Sequence, residues 1–158
     1  MRAASEEADE GLEGCMRRGL ERLEAAHRLS LPRGRRGNAW ETFEWQRLKR
    51  LIARTAATCL CRYTGCPVYL GDIHGGEPSE GLGGKDADLI LGCPMGAEET
   101  RRIEQQLERV TAAWLHGVLG DDPYRFLGVA NIVELHTVAE YLFKKYVEAG
   151  PPYVVRIC

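Results

Sequence analysis

The chain has 158 residues, 44% of them hydrophobic, and a formal net charge of −2 at pH 7. This length predicts one globular domain, 1–158, with a core of its own. No apolar run approaches the roughly 20 residues that a membrane-spanning helix requires. The first residues show no apolar stretch after their basic residue, which argues against a signal peptide. We therefore expect a soluble, cytoplasmic protein with no membrane partner.

The positive charge of the chain is unevenly distributed. Residues 28–62 hold nine basic and only two acidic side chains. A stretch of this kind can attract a polyanion such as a nucleic acid. A solvated, arginine-rich helix face is the commoner explanation for a cluster of this size. The sequence leaves both explanations open.

Six cysteines lie at positions 15, 59, 61, 66, 93 and 158. Their irregular spacing and the lack of a signal peptide argue against a disulfide framework, with intracellular proteins of hyperthermophiles as the known exception. A zinc site normally uses cysteine pairs separated by two to four residues, and here Cys59 and Cys61 are too close. We predict that these cysteines act as small buried hydrophobic residues.

The N-terminal part, 1–66, reads as two helices. Apolar residues recur at helical spacing over 12–30, which predicts the first helix. The second helix is predicted to be capped by Asn38, with Glu41 three residues later as in a capping box. Its predicted core-facing stripe consists of Trp40, Phe43, Leu48, Leu51, Ile52, Thr55 and Cys59.

The C-terminal part, 67–158, alternates between short β-prone runs and helical segments. Glycine-rich turns separate the predicted elements. They are a strand over 68–70, a loop over 74–84, a strand over 86–91, a helix over 97–119, a strand over 131–136, a helix over 137–148 and an edge strand over 153–157. This order predicts an α/β (α+β) fold, in which helices cover a small mixed sheet mainly on one face.

Carboxylates on two of the predicted strands suggest a metal site. Asp86 and Asp88 are two residues apart, so both point to the same face of their strand. Glu134 on the later strand completes a three-carboxylate cluster if the two strands are neighbours. Oxygen ligands of this kind suit Mg²⁺ or Mn²⁺. The alternative is a turn aspartate followed by ordinary outward-facing strand residues.

The surroundings of these carboxylates resemble minimal nucleotidyltransferases of the DNA polymerase beta superfamily. Members of that superfamily carry a strand ending in Gly-Ser, an Asp-x-Asp pair in an apolar strand, and a third carboxylate on a later strand. The runs 68–71, 84–91 and 132–136 are similar to these three motifs. The resemblance covers about the last 90 residues and implies a nucleotidyltransferase-like fold.

The resemblance also implies an activity, the transfer of a nucleoside monophosphate from a nucleoside triphosphate such as ATP to an acceptor hydroxyl. Asp86, Asp88 and Glu134 would then be the catalytic, metal-binding residues. The nucleotide-binding candidates are Gly71, Asp72 and Lys85, and the accessory candidates are His74 and His136. The acceptor is unknown and can be a protein or a nucleic acid, and homo- or hetero-oligomers remain open.

Three features depart from the family pattern. Asp72 stands where a serine is expected after Gly71, the segment 71–86 is long and rich in glycine, and the usual arginine between the motifs is missing. An alternative function is therefore a catalytically inactive nucleotidyltransferase-fold module with a binding or regulatory role. Such a module would be a partner of a helical protein, or a nucleic-acid binder through residues 28–62.

Overall fold

The computed structural model describes residues 2–26, 37–72, 86–137 and 153–158. These ranges contain α1 (Arg2–Ala26), a 3-10 turn (Ala39–Glu41), α2 (Phe43–Thr64), β1 (Val68–Asp72), β2 (Ala87–Leu91), α3 (Ala97–Leu119), α4 (Pro123–Leu127), β3 (Val133–Thr137) and β4 (Tyr153–Arg156). Helices and strands share one unit, which confirms the predicted α+β class. The predicted loop over 74–84 lies outside the described residues, as does nearly all of the predicted helix over 137–148. In the described part, no helix is both long and apolar enough to cross a membrane.

The four strands form one mixed sheet in the order β3-β2-β1-β4. The pairs β1–β2 and β1–β4 are antiparallel, whereas β2 and β3 run parallel. The chain between β2 and β3 passes through α3 and α4, because a parallel pair needs a crossover connection. The last strand, β4, lies at an edge of the sheet, as the sequence predicted.

One face of the sheet joins the hydrophobic core. Leu89 and Leu91 of β2 and Leu135 of β3 belong to the buried cluster that α1, α2 and α3 complete. Ile90 is 3% exposed but lies outside that cluster. Side chains alternate across a strand, so Ile90 and its neighbour Asp88 lie on the other face. The sheet therefore separates a helix-covered face from the face that carries the candidate site.

The second helix begins later than the sequence predicted. A 3-10 turn follows Asn38, whose side chain makes no capping hydrogen bond. The N-cap is Thr42, because its hydroxyl accepts a hydrogen bond from the backbone N–H of Trp45 at 3.2 Å. The prediction of a core position for Phe43 was also wrong, since this ring is 70% exposed. The predicted core positions Leu48, Ile52 and Cys59 are buried, and a helix that starts at Phe43 adds residues 45 and 56 to them.

Two glycines allow elements to approach closely. A Cβ atom at Gly19 of α1 would lie 2.5 Å from a methyl carbon of Thr55 in α2. A Cβ atom at Gly128, which has φ +78°, would lie 1.7 Å from the carbonyl oxygen of Gly37. Glycine at these positions therefore serves packing, and the cost of Gly19 to helix propensity is offset by a close contact between α1 and α2.

The six cysteines form three disulfide bonds, so the prediction against a disulfide framework was wrong. Cys15–Cys59 joins α1 to α2, and Cys61–Cys158 joins the end of α2 to the last residue. Cys66–Cys93 lies two register positions beyond Val68 and Leu91, at the end of the β1–β2 pair. Irregular sequence spacing did not reveal these pairs because every bond links different elements, with separations of 44, 97 and 27 residues.

Thr111 in α3 offers a test of the core. Its side chain is fully buried, and its hydroxyl has no hydrogen-bond partner among the described residues. A buried hydroxyl without a partner destabilises the folded state. We expect Thr111→Val to raise the free energy of unfolding by about 1 kcal/mol, as measured by urea denaturation.

The control is Thr100→Val on the same helix. Thr100 is also buried, but its hydroxyl donates a hydrogen bond to the carbonyl oxygen of Gly96 at 2.9 Å. This substitution should therefore lower the free energy of unfolding. If both substitutions destabilise the protein equally, the hydroxyl of Thr111 has a partner after all.

Candidate metal-binding site

The backbone of three strands brings the candidate residues into one row. In the parallel pair β2–β3, Asp88 is the register partner of Glu134. In the antiparallel pair β1–β2, Asp88 is the register partner of Gly71. Register partners lie on the same face of a sheet, so Gly71, Asp88 and Glu134 line up across it. The strand adjacency that the sequence could only assume is therefore present.

His136 joins this row because it follows Glu134 by two residues on β3. Its Nε2 atom lies 3.0 Å from Oδ1 of Asp88 and 3.7 Å from Oε2 of Glu134. Asp88 is 2% exposed and His136 is 6% exposed. One potential ligand atom from each of the three side chains lies within 4.8 Å of the other two. This compact group of two carboxylates and one imidazole is the candidate site.

One oxygen of Asp88 has no hydrogen-bond partner among the described residues. While Oδ1 contacts His136, Oδ2 is buried and unpartnered. Buried polar atoms in folded proteins nearly always have a partner, so each exception calls for an explanation. A carboxylate oxygen is an acceptor for hard divalent cations, and imidazole nitrogen is a ligand for several transition-metal ions. The donor set thus fits a divalent metal ion.

The carboxyl groups of Asp86 and Asp88 lie in an environment that disfavours their charge. The pKa of Asp86 is raised to about 7, first by burial and then by the negative charges of Asp88 and Glu134. Burial also raises the pKa of Asp88, although the hydrogen bond with His136 opposes the rise. A bound cation would relieve both effects, because an opposite charge nearby favours the ionised carboxylate.

The pKa values of Glu134 and His136 on β3 are shifted so that both side chains favour their charged forms. The polar contact with His136 holds the pKa of Glu134 well below its usual range, against the effect of burial. Burial alone would lower the pKa of His136, but its hydrogen bond with Asp88 and the nearby charge of Glu134 raise that pKa to about 9. Groups with strongly shifted pKa values that face one another are typical of functional sites.

Two glutamates of α3 hold the strand that carries Glu134 and His136. Glu104 accepts a hydrogen bond from the backbone N–H of Leu135 at 2.8 Å. Glu108 accepts from the backbone N–H groups of Ile132 and Val133, and from the Tyr124 hydroxyl at 2.5 Å. Because β3 lies at the edge of the sheet that the described residues form, these N–H groups face away from β2 and have no strand partner there. The carboxylates of α3 therefore stabilise the start and the position of β3.

Removing the Glu108 carboxylate should destabilise the protein. Glu108→Ala leaves two partly buried N–H groups and one hydroxyl without their acceptor. We expect the free energy of unfolding to fall by about 3 kcal/mol, as measured by chemical denaturation. Glu99→Ala is the control, since Glu99 is half exposed and its ion pair among the described residues is with Arg102 at 3.8 Å. Glu99→Ala should lower the free energy of unfolding by less than about 0.5 kcal/mol. Equal decreases in the two variants would contradict a special role for Glu108.

The remaining predicted site residues are only partly covered by the structure. Asp86 immediately precedes β2 and interacts with both Asp88 and Glu134. Gly71 and Asp72 are the last two residues of β1, and Asp72 is the register partner of Tyr153. Lys85 and His74 lie outside the described residues. The nucleotide-binding role of Gly71, Asp72 and Lys85 stays a prediction.

Sequence reasoning ranked His136 too low and missed Glu104 and Glu108. The alternation of side chains along β3 was enough to place His136 on the face of Glu134. Nothing in the sequence singled out the two glutamates, because acidic residues are common on the outer side of an amphipathic helix. Comparisons of this chain with protein-family models, curated proteins and solved structures gave no match.

Proposed function

We propose that this protein is a metal-dependent nucleotidyltransferase, which moves a nucleoside monophosphate from a nucleoside triphosphate to an acceptor hydroxyl. The observation that carries the proposal is the register pair Asp88–Glu134, with Asp86 and His136 beside it. This arrangement supports the nucleotidyltransferase-like fold that the motifs imply. Mg²⁺ or Mn²⁺ would be held by Asp86, Asp88 and Glu134.

The bound metal ion would supply charge neutralisation for the triphosphate and activation of the acceptor oxygen. The residues of the chain would prepare the site for both. Glu134 stays ionised because its pKa is held low, so it suits cation binding. His136 orients Asp88 through a hydrogen bond of 3.0 Å. Gly71, the register partner of Asp88, has no side chain that would hinder the approach of a phosphate group.

The test is calorimetric binding of ATP and GTP in the presence of Mg²⁺ or Mn²⁺, followed by an assay for nucleotide transfer. We expect micromolar binding by the wild type, weakened by about 100-fold or more in Asp86→Asn because a charged ligand is lost. Glu99→Gln is the matched control, since it removes the same charge from a half-exposed site. The control should bind as the wild type does.

One observation favours the second candidate, a catalytically inactive module of the same fold. The ring of His136 lies between Asp88 and Glu134 and can serve as their internal cation. Asp72 in place of the expected serine points the same way, because its charge repels phosphates. If the folded wild type binds no metal–nucleotide with either ion, the enzymatic proposal fails and the inactive module is supported.

A further inference from the structure

The outer face of α2 carries a row of arginines. Between residues 46 and 62, the exposed positions of this helix are Arg47, Arg50, Arg54, Thr58 and Arg62. Their spacing of three or four residues places them along one side of the helix. We call Arg47, Arg50, Arg54 and Arg62 the arginine stripe. With a rise of about 1.5 Å per residue, the stripe extends over about 22 Å.

The arginine stripe has no acidic counterpart among the described residues. Each of the exposed arginines of α3 lies beside a glutamate, in the pairs Arg101–Glu104, Arg102–Glu99 and Arg109–Glu13. No such ion pair involves the four stripe arginines in the part of the chain that the structure describes. Glu44, near the start of α2, is the one acidic residue within that helix. Like charges three or four residues apart repel each other, so the stripe costs the isolated helix stability.

We propose that the arginine stripe binds the phosphate backbone of a single-stranded nucleic acid. Guanidinium groups bind phosphate oxygens in a bidentate manner, and four of them in a row match a ligand with repeated phosphates. Phe43 precedes Arg47 by one helical turn on the same side and is 70% exposed. An exposed ring beside cationic side chains provides a stacking surface for an unpaired base. The charge and the aromatic ring together favour a single strand over an acidic protein segment.

The geometry of α2 argues against an anionic membrane as the occupant. An interfacial helix inserts an exposed apolar face into the lipid. In α2 the apolar face is buried, with Leu48, Ile52 and Leu60 in the protein core. Between residues 46 and 62 the exposed positions of α2 are all polar, so the stripe lacks the continuous apolar face that would accompany it at a membrane.

The arginine stripe is separate from the candidate metal site. The core-facing side of α2 packs against the helix-covered face of β1 and β2, whereas Asp88 and Glu134 lie on the other face. Nucleic-acid binding by the stripe therefore does not depend on the proposed nucleotidyltransferase activity. The two proposals are therefore tested by separate measurements.

The test is fluorescence anisotropy of labelled single-stranded RNA and DNA oligonucleotides, titrated with the full chain at several NaCl concentrations. Four phosphate contacts predict a slope of about −3 for log K against log [salt]. We expect Arg50→Gln/Arg54→Gln to weaken binding and to reduce the steepness of that slope by about 1.4. Arg101→Gln/Arg102→Gln changes the net charge equally and should leave binding unchanged. Circular dichroism shows whether each variant is folded.

Three outcomes would overturn the proposal. Equal weakening by the α3 control would show that net charge alone attracts the oligonucleotide. Equally tight binding of poly-glutamate or of anionic phosphatidylserine vesicles would show that the stripe does not select nucleic acid. Equally tight binding of a duplex, with no loss in Phe43→Ala, would contradict a single-stranded ligand. In support, Phe43→Ala should weaken single-strand binding severalfold without changing the salt slope.

Discussion

Reduction of the three disulfide bonds is expected to lower the midpoint of thermal unfolding by on the order of 20 °C. The bonds span 44, 97 and 27 residues, and each restricts the unfolded chain. Loop-closure entropy assigns each bond about 3–5 kcal/mol, and measured values are typically about 2–4 kcal/mol. Their combined contribution approaches the whole stability of an ordinary domain, about 5–15 kcal/mol.

The measurement is thermal unfolding of protein purified without reductant, with and without a phosphine reductant. Thiol titration of the denatured, unreduced protein should detect no free thiol if all six cysteines are paired as in the structure. Titration of six thiols, together with an unchanged unfolding midpoint, would show that the cysteines do not pair in the protein.

Replacing the cysteines of one disulfide bond at a time by serine should rank the three bonds by their contribution to stability. The Cys61–Cys158 bond closes the longest loop and Cys66–Cys93 the shortest. The loop-entropy relation predicts that replacing the first pair costs about 1 kcal/mol more than replacing the second. Disulfides of this kind occur in oxidising compartments and in intracellular proteins of hyperthermophiles.

The sequence predicted individual elements better than their relations. The bounds of α3 are as predicted, because glycines lie just outside both ends and acidic residues occupy the first turn. The start of α2 was predicted wrongly because Asn38 and Glu41 imitate a capping box, whereas Thr42 makes the capping hydrogen bond. Local patterns can compete in this way, and only the formed hydrogen bonds decide between them.

Relations between distant residues were beyond the reach of local patterns. The parallel pairing of β2 with β3 depends on a crossover through α3 and α4, so spacing along the chain does not reveal it. The same holds for the cysteine pairs and for the contacts of Glu108 with β3. The site itself was partly predictable, since the two-residue spacing of Asp86 and Asp88, and of Glu134 and His136, follows the alternation of strand side chains.

Asp88→Asn is expected to weaken binding of divalent cations by about 100-fold or more without lowering the stability of the metal-free protein. Asp88 is 2% exposed, burial raises its pKa, and Oδ2 has no partner among the described residues. An ionised carboxylate in this position is unfavourable for folding, which is typical of a site shaped for binding. The asparagine removes the buried charge and retains an oxygen that can accept the hydrogen bond from His136.

The measurement is thermal unfolding with and without Mn²⁺. For the wild type at 100 times the dissociation constant, the ion adds about 2.7 kcal/mol, a rise of roughly 8 °C in the midpoint. Asp88→Asn should show no rise, while its metal-free midpoint stays at or above that of the wild type. Calorimetry should show binding weakened by about 100-fold or more.

Asp122→Ala is a control that should lower the stability of the protein and leave metal binding unchanged. The Asp122 carboxylate caps α4 by accepting a hydrogen bond from the N–H of Tyr124 at 3.0 Å, and its loss should cost about 1 kcal/mol. The rise in midpoint with Mn²⁺ should persist in this variant. If instead Asp88→Asn destabilises the metal-free protein by several kcal/mol, the contact with His136 is a structural ion pair, because breaking a buried pair has that cost. The unpartnered oxygen would then no longer support a metal site, and the inactive module would become the better explanation of the fold.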